Sequence, residues 1–172
     1  MMFKSSRGII LVYGLVAATL ITLDQMVKIW AIANLQGQPA RHLIQGFMHL
    51  VYVENTGAAF GLLAGFGGAQ FVLAAVKLVV LVAVIIYFTM LPQEPRFTLV
   101  RIPLVMIFAG GMGNLIDRVR FGFVVDMFAF SFIDFPVFNV ADIFVTTGAF
   151  VFVFIVMFIV KDAPVFDTTK QT

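Results

Sequence analysis

Long apolar runs alternate with shorter polar segments along the chain. The apolar runs cover about Gly8–Trp30, Ala69–Leu91, Leu99–Asp117 and Asn139–Val160. Each is close to the ~20 residues with which an α-helix crosses the hydrocarbon core of a bilayer, and none shows the alternation of a barrel strand. The pattern predicts an all-α membrane protein with four transmembrane helices, built as a single domain over residues 1–172.

Two longer segments, residues 31–68 and 118–138, separate these runs on one side of the predicted bundle. In the first of them, His49–Asn55 has the composition of a β-strand, and Arg41–Gln45 is its expected partner in a small β-rich segment. Ala58–Phe66 is short and apolar, which predicts a short helix in the plane of the interface. Our hypothesis for this short helix is a lid over a cleft.

Lysine and arginine residues near the ends of the runs indicate the orientation in the membrane, because cytoplasmic flanks carry an excess of both. One side has Lys4, Arg7, Arg96, Arg101, Lys161 and Lys170, and the other has Lys28, Arg41, Arg118 and Arg120. The bias predicts cytoplasmic termini and places residues 31–68 and 118–138 outside. Basic residues also precede the first run, as in a signal peptide, but the run is too long for one, so we interpret it as a retained helix.

Composition agrees with a membrane protein and excludes several function classes. Hydrophobic residues make up 62% of the chain and charged residues 12%, whereas soluble domains are about half apolar and about a quarter charged. The net charge of +2 is small and the basic residues form no patch, so no nucleic-acid partner is expected. The chain has no cysteine, which excludes disulfides, thiolate metal sites and cysteine nucleophiles.

Polar side chains concentrate near the outer ends of the predicted helices. Ionisable groups at membrane depth usually face a bundle interior or a water-filled cavity, because exposure to lipid is unfavourable. The residues concerned are Asp24, Lys28, Glu54, Asn55, Asn114, Asp117, Arg118, Asp126, Asn139 and Asp142. Within each helix the spacing is three or four residues, so each set lies on one helix face. Their convergence on one side of the membrane predicts a polar site there.

Structural roles account for part of this cluster. Asp24 and Lys28 lie four residues apart, and we interpret them as a pair that holds helices together. Asp117 and Arg118 are interpreted as an ion pair that braces the third helix. Lys77, within the second run, is interpreted as a lysine whose ammonium reaches the nearer interface.

The residue types limit the chemistry available to the cluster. His42 and His49 have no third ligand at a spacing typical of zinc sites, and Ser131 has only Lys28 as a conceivable base. Paired carboxylates remain as the main candidates. Two aspartates a few Å apart share one proton, so the ionised member accepts a proton from water while the protonated member donates to the substrate.

The residues alone leave the choice of the pair open. Asp126 follows an apolar stretch in the second outer segment, and Asp142 lies one turn into the fourth predicted helix. Asp134, beside Phe135 and Pro136, is a further candidate. Asp126 with Asp142 is therefore one choice among several.

Four sequence blocks carry a resemblance to a known family. They are LDQMVK at 23–28, VENTGAAFG at 53–61, GGMGNLIDRVRFGFVVDM at 110–127 and FNVADIF at 138–144. In this order and spacing, the chain resembles the lipoprotein signal peptidases, also called signal peptidase II. The resemblance covers most of the chain.

The resemblance implies an aspartic endopeptidase that spans the bacterial cytoplasmic (inner) membrane several times. The implied substrate is a prolipoprotein whose cysteine carries a diacylglyceryl group, and the enzyme would cut just before that cysteine. Asp126 and Asp142 are the implied catalytic pair. The implied substrate-binding residues are Asn55, Asn114, Arg118 and Asn139, and the supporting residues are Asp24, Lys28 and Asp117.

The same resemblance implies no metal and no organic cofactor. The expected partners are the lipidated prolipoprotein and membrane lipids, with globomycin-type inhibitors in the active site and a monomeric protein. Two other function classes remain possible from the residues. A transporter or proton channel also uses carboxylates inside the membrane, but it needs them distributed across the bilayer, and here the inner halves of the helices have few. A structural subunit does not need so many converging acids.

Overall fold

The computed structural model of the protein describes residues 6–57 and 69–160. The helices are α1 (Ser6–Leu35), α2 (Ala69–Met90), α3 (Thr98–Phe121) and α4 (Val140–Phe158). The strands are β1 (Arg41–Ile44), β2 (Met48–Asn55) and β3 (Val124–Phe130), and a 3-10 turn at Pro95–Phe97 joins α2 to α3. We call the end of the helix bundle next to the strands the sheet end, and the opposite end the turn end.

Three of the helices are long and apolar enough to cross a membrane. They are Gly8–Leu35, Thr98–Phe121 and Val140–Phe158, whereas the corresponding apolar part of α2, Ala75–Met90, is shorter. The mainly helical fold agrees with the sequence. The fourth transmembrane helix stays a prediction, because three helices among the described residues have the length and apolar character of a span.

The third helix is longer than the sequence analysis predicted. It was expected to end at Asp117, but it continues to Phe121, where Gly122 adopts a left-handed conformation (φ 81°) and its N–H bonds Arg118 O. Glycine at this position and basic residues in the last turn are both typical of a helix C-terminus. Arg118 therefore belongs to a helix and not to the outer segment.

The strands form one antiparallel sheet in the order β1–β2–β3. The predicted pairing of the first two strands is confirmed, with His42 opposite His49. The third strand was not predicted, so Asp126, which was assigned to a loop, lies in a strand opposite Val53. Much of β3 is buried, which removes the polar–apolar alternation by which a half-buried strand is recognised. The proposed lid at Ala58–Phe66 lies outside the described residues.

Helix α3 packs against the three other helices, and glycines permit its close approach to α4. A Cβ atom built on Gly110 would collide with the carbonyl oxygen of Ala141 and lie 2.8 Å from Cγ2 of Val145. One on Gly148 would lie 2.9 Å from the carbonyl oxygen of Pro103. The backbones of α3 and α4 therefore touch along this seam, which fixes where α4 begins relative to α3.

Gly110→Ala is expected to lower the free energy of unfolding by ~1–3 kcal/mol, because a backbone oxygen cannot move aside as a flexible side chain does. The measurement is the midpoint of thermal unfolding in detergent. Gly14→Ala is the matched control, since a Cβ there meets nothing within 4 Å. The control is expected to be neutral or up to ~1 kcal/mol more stable. Equal midpoints for the two variants would contradict the tight seam.

Candidate active site

Buried polar side chains gather at the sheet end of the bundle, where α1, α3, α4 and β3 meet. They are Asp24, Lys28, Asn114, Asp117, Asp126 and Asn139, and each is at most 2% exposed. Buried polar groups need partners, because an unpaired one loses its hydration without compensation. The hydrogen bonds among these residues therefore define how the site is built.

The start of α4 orients Asp142. Asn139 is the N-cap, and its side chain accepts a hydrogen bond from the backbone N–H of Asp142 at 3.0 Å. In return, the Asp142 carboxylate accepts from the backbone N–H of Asn139 at 3.2 Å. This reciprocal capping box holds Asp142 in the first turn of the helix. Asn114 of α3 donates a further bond to Asp142 Oδ1 at 2.8 Å.

Asp126 reaches the same place from strand β3. Its Oδ1 accepts a bond from Asn139 Nδ2 at 2.6 Å, and its Oδ2 accepts from Asn55 Nδ2 at 2.8 Å. Asn55 lies on the neighbouring strand, two residues beyond the position that pairs with Asp126. Asn139 therefore contacts both aspartates, through its side chain and its backbone, and links the strand acid to the helix acid.

Burial raises the pKa of Asp126 to about 6. The hydrogen bond from Asn55 opposes this rise, the negative charge of Asp142 adds to it, and the bond from Asn139 opposes it. The charge of Asp142 is therefore one of the causes that keep the proton on Asp126. Asp126 is thus a carboxyl group that holds its proton closer to neutral pH than an ordinary aspartate does.

Lys28 is the centre of a second network, behind the two aspartates. Its ammonium lies 3.0 Å from Asp24 Oδ2 and 2.9 Å from Asp117 Oδ2, and it donates to Asn114 Oδ1 at 2.9 Å. The predicted pairing of Asp24 with Lys28 is therefore present. One cation between two buried carboxylates links α1 to α3 and leaves one net negative charge on the group.

The two carboxylates of this network hold backbone amides next to the candidate catalytic residues. Asp117 accepts from the N–H of Val125 at 3.1 Å, one residue before Asp126. Asp24 accepts from the N–H of Ala141 at 2.9 Å, one residue before Asp142. The ion network thus fixes the backbone on which each of the two aspartates is carried.

The predicted ion pair between Asp117 and Arg118 is wrong. Within the described parts of the chain, the salt bridges of Asp117 and Asp24 are both with Lys28. Consecutive residues of a helix point in different directions, so they do not face each other. Arg118 instead donates to the carbonyl oxygen of Asn114 at 3.3 Å and is half-buried.

Gln25 belongs to the site, although the sequence analysis did not single it out. Its side-chain amide donates to Asp117 Oδ1 at 2.9 Å, to the carbonyl oxygen of Gly113 at 3.2 Å and to Asp24 Oδ2 at 3.3 Å. It lies inside the LDQMVK block, between Asp24 and Lys28. The available signal was a polar residue in an apolar helix, next to two others that were noticed.

An open cleft of about 580 Å³ leads to Asp126 from the sheet side. It is lined by Val53, Glu54, Asn55, Thr56, Asp126, Asp134, Pro136 and Val137. Asp134, the alternative acid, is exposed at this cleft and lies outside the hydrogen-bond network of Asn139. Among the described residues, no group of three or more His, Cys, Asp or Glu side chains has an arrangement that would hold a metal ion.

The raised pKa of Asp126 predicts a pH-dependent gain in stability for Asp126→Asn. The folded state binds this proton more tightly than the unfolded state, so the charged form opposes folding above about pH 6. The penalty disappears as the pH falls through about 6 towards the ordinary value of 3.8. The gain of Asp126→Asn in free energy of unfolding should therefore be ~2–3 kcal/mol larger at pH 8 than at pH 4.

Thermal unfolding in detergent at both pH values measures this difference. Asp134→Asn is the control, since Asp134 is exposed at the same cleft, and it should not reproduce the gain of Asp126→Asn. A gain for Asp126→Asn that is equal at pH 4 and pH 8 would contradict the tighter proton binding.

The chain is similar to known proteins over most of its length. A family model described as "Signal peptidase (SPase) II" matches residues 16–158. The lipoprotein signal peptidase of Clostridium acetobutylicum is 44% identical over 149 residues, which are 85% of this chain and 92% of that protein. That of Clostridioides difficile is 41% identical over 149 residues, 86% of this chain and 97% of that protein.

A solved structure has the same fold. It is a bacterial membrane enzyme determined by the in meso method at 1.9 Å resolution. The match has a TM-score of 0.74 at 27% sequence identity, and it covers 92% of this chain and 99% of that one. The arrangement of helices and sheet described above is therefore shared with a membrane enzyme.

Proposed function

The chain belongs to the signal peptidase II family, so it is a membrane peptidase, and we propose that it removes signal peptides from bacterial prolipoproteins with Asp126 and Asp142 as its catalytic pair. The observation that carries this proposal is the double contact of Asn139. Its side chain binds Asp126 and its backbone N–H binds Asp142. Two carboxyl groups bound by one residue are in position to act on the same water molecule and the same peptide bond.

In the proposed mechanism the pair holds one proton between its two carboxyl groups. Asp126 carries it, since burial and the charge of Asp142 raise its pKa to about 6. Asp142, ionised, accepts a proton from water, and the resulting hydroxide attacks the carbonyl carbon of the scissile bond. Asp126 donates its proton to the carbonyl oxygen. Collapse of the tetrahedral intermediate breaks the C–N bond: Asp142 delivers the proton from water to the leaving amine, Asp126 takes back a hydroxyl proton, and the pair returns to its starting state.

Other residues of the site position the reacting groups and the substrate. Asn55 and Asn114 each bind one of the two aspartates, and they restrict its rotation. Arg118 makes one hydrogen bond within the described residues, to its own helix, so other N–H groups of its guanidinium remain to bind substrate carbonyl groups. Asp24, Lys28 and Asp117 support the pair through the backbone of Ala141 and Val125.

The proposed substrate is a prolipoprotein with a diacylglyceryl group on its cysteine, cut just before that cysteine. The polar site lies at one end of apolar helices, so a bond at headgroup depth would reach it while acyl chains stay in lipid. Many large apolar side chains on the helices are exposed in the isolated chain, as expected for a surface in contact with lipid.

The proposed placement is a monomer in the bacterial cytoplasmic membrane, with α2 as the fourth membrane-spanning helix and the chain as one domain. The distribution of lysine and arginine supports cytoplasmic termini and a sheet end on the outer side. Globomycin-type inhibitors are expected to occupy the cleft at Asp126.

A proton channel is less consistent with the site. Outside the polar cluster, Arg101 is the remaining charged side chain that is buried in the described part of the chain. It donates to the carbonyl oxygens of Leu91 and Pro92 at 2.9 and 2.8 Å, which fastens the turn between α2 and α3. A continuous chain of proton carriers from one end to the other would need more such groups.

Purified protein in lipid nanodiscs, incubated with a synthetic prolipoprotein peptide, tests the function. We expect cleavage of the peptide with a diacylglyceryl cysteine, at the bond before that cysteine, as identified by mass spectrometry. The same peptide without the lipid should be cleaved far more slowly. Intact lipidated peptide after prolonged incubation with folded protein would reject the proposed function, and cleavage elsewhere would reject the proposed position.

A further inference from the structure

We propose that Lys77 of α2 is a positioning residue for the aspartate pair, whose ammonium stabilises the ionised carboxylate of Asp142 and so sets the acid side of the pH–activity profile. The inference deepens the proposed function and depends on it. Helix α2 is apolar along its length, and within Ala69–Met90 Lys77 is its one charged residue. Its position is therefore unfavourable unless its ammonium faces a polar environment.

The packing of α2 on α3 shows which way Lys77 faces. Leu81 is 3% exposed, and its Cδ2 would lie 2.8 Å from a Cβ atom on Gly111, so this face of α2 touches α3. Lys77 precedes Leu81 by one helical turn and shares that face. The short turn after α2 makes the two helices antiparallel, so Lys77 lies one turn from Gly111 towards Asn114, nearer the sheet end.

The neighbours of Lys77 along the helix point outwards. Val76 and Leu78 are 56% and 52% exposed, whereas Lys77 is half-buried. The ammonium is therefore turned away from the lipid-facing side of α2 and into the bundle. Lys77 was predicted to reach the nearer interface, and on this face of α2 its ammonium is directed to the polar cluster.

The geometric link from Lys77 to the aspartate pair runs through Asn114, the α3 residue towards which Lys77 lies, because Asn114 donates to Asp142 Oδ1 at 2.8 Å. The charged groups close enough to act on Lys77 electrostatically come from four elements: Arg118 of α3, Asp142 of α4, Lys28 of α1 and Asp126 of β3. The two carboxylates attract its charge and the two cations repel it.

Lys77 differs from Lys28 in how its charge is used. Lys28 is bound by Asp24 and Asp117, so its charge is already compensated by two carboxylates. Lys77 forms neither a salt bridge nor a hydrogen bond with any described residue. Among the described residues its positive charge has no ion-pair partner, so it can act on Asp142, in surroundings where low polarity strengthens the interaction.

The sign of the effect follows from this geometry. A positive charge near two carboxyl groups favours the state in which one is ionised, so the pair loses its first proton at a lower pH. Without the ammonium, the singly protonated pair that activates water forms only at higher pH. As the pH falls, activity would then be lost at a higher pH than in the wild type. At pH values above this acid transition, activity would change little.

The test compares kcat/KM against pH for Lys77→Met, Lys77→Arg and Leu78→Met, with the lipidated peptide in nanodiscs. Methionine keeps the length of the side chain without its charge, and arginine keeps the charge. Leu78→Met is the matched control on the lipid-facing side of the same helix. For Lys77→Met we expect the midpoint of the acid transition in kcat/KM to rise by about 0.5–1 pH unit. The plateau value of kcat/KM above the transition should fall less than about threefold. The other two variants should match the wild type.

Each alternative outcome overturns the inference. An unmoved acid transition in a folded Lys77→Met protein would show that the ammonium does not act on the pair. A higher KM with an unmoved transition would assign Lys77 to substrate binding instead. Lys77→Gln repeats the measurement if the methionine variant unfolds in detergent. If the wild-type protein cleaves the peptide, the proposed function stands independently of these results; if it does not, both proposals fail.

Discussion

Asp126→Asn and Asp142→Asn are each expected to lower kcat/KM for the lipidated peptide by ~10³-fold or more. The proposed mechanism needs one ionised and one protonated carboxyl group, and an amide can neither accept the proton of water nor donate a carboxyl proton. Asparagine has the shape of aspartate and keeps one acceptor oxygen, so the bond from Asn139 can remain while the bond from Asn55 or Asn114 is lost. Single-turnover cleavage in nanodiscs measures the loss, and thermal unfolding verifies that each variant is folded.

The double variant and Asp134→Asn complete this experiment. Because the two carboxyl groups act as a unit, losing both should reduce the rate little further than losing one. Asp134 lines the same cleft but lies outside the network of Asn139, so Asp134→Asn should keep most of the activity. Substantial turnover by Asp126→Asn or Asp142→Asn would reject the pair, and an inactive Asp134→Asn would make Asp134 a member of it.

Lys28→Met is expected to have the largest effect on stability, a loss of ~3–5 kcal/mol in free energy of unfolding. Lys28 is 2% exposed and lies 3.0 and 2.9 Å from the carboxylates of Asp24 and Asp117. Without the ammonium, two buried negative charges face each other uncompensated. Since these carboxylates hold the amides of Ala141 and Val125, activity should fall together with the unfolding midpoint.

Neutralising the carboxylates of Asp117 and Asp24, which have lost their cation in Lys28→Met, should restore part of the lost stability. Lys28→Met combined with Asp117→Asn leaves one of the two carboxylates that Lys28 binds, and adding Asp24→Asn leaves neither, so the unfolding midpoint should recover in that order. Arg120→Met is the matched control, because Arg120 is an exposed cation at the same end of the bundle; its loss should be at most ~1 kcal/mol. A Lys28→Met protein as stable as this control would show that the buried ion network does not hold the site together.

Part of the fold could be predicted from local sequence signals. The length and apolar character of α1, α3 and α4 were predictable from the sequence. A chain in lipid must satisfy its backbone hydrogen bonds internally, so its spans are long apolar helices that are visible in the composition. The β1–β2 hairpin was predictable from its strand composition. Strand β3 was not, because its burial is created by α1 and β2, which no local pattern of the strand reveals.

Local signals in the sequence were sufficient to predict a membrane protein, to collect its polar residues at one end of the helices, and to reveal the resemblance of four motif blocks to signal peptidase II. The pairings came from the tertiary structure: Lys28 binds Asp117, for which Arg118 was the predicted partner, and Gln25 binds Asp24 and Asp117. Periodicity shows which residues share a helix face, since that depends only on the repeat of one helix. Partners across helices depend on how those helices pack, and Gly110 and Gly113 set that packing through contacts with residues distant in the sequence.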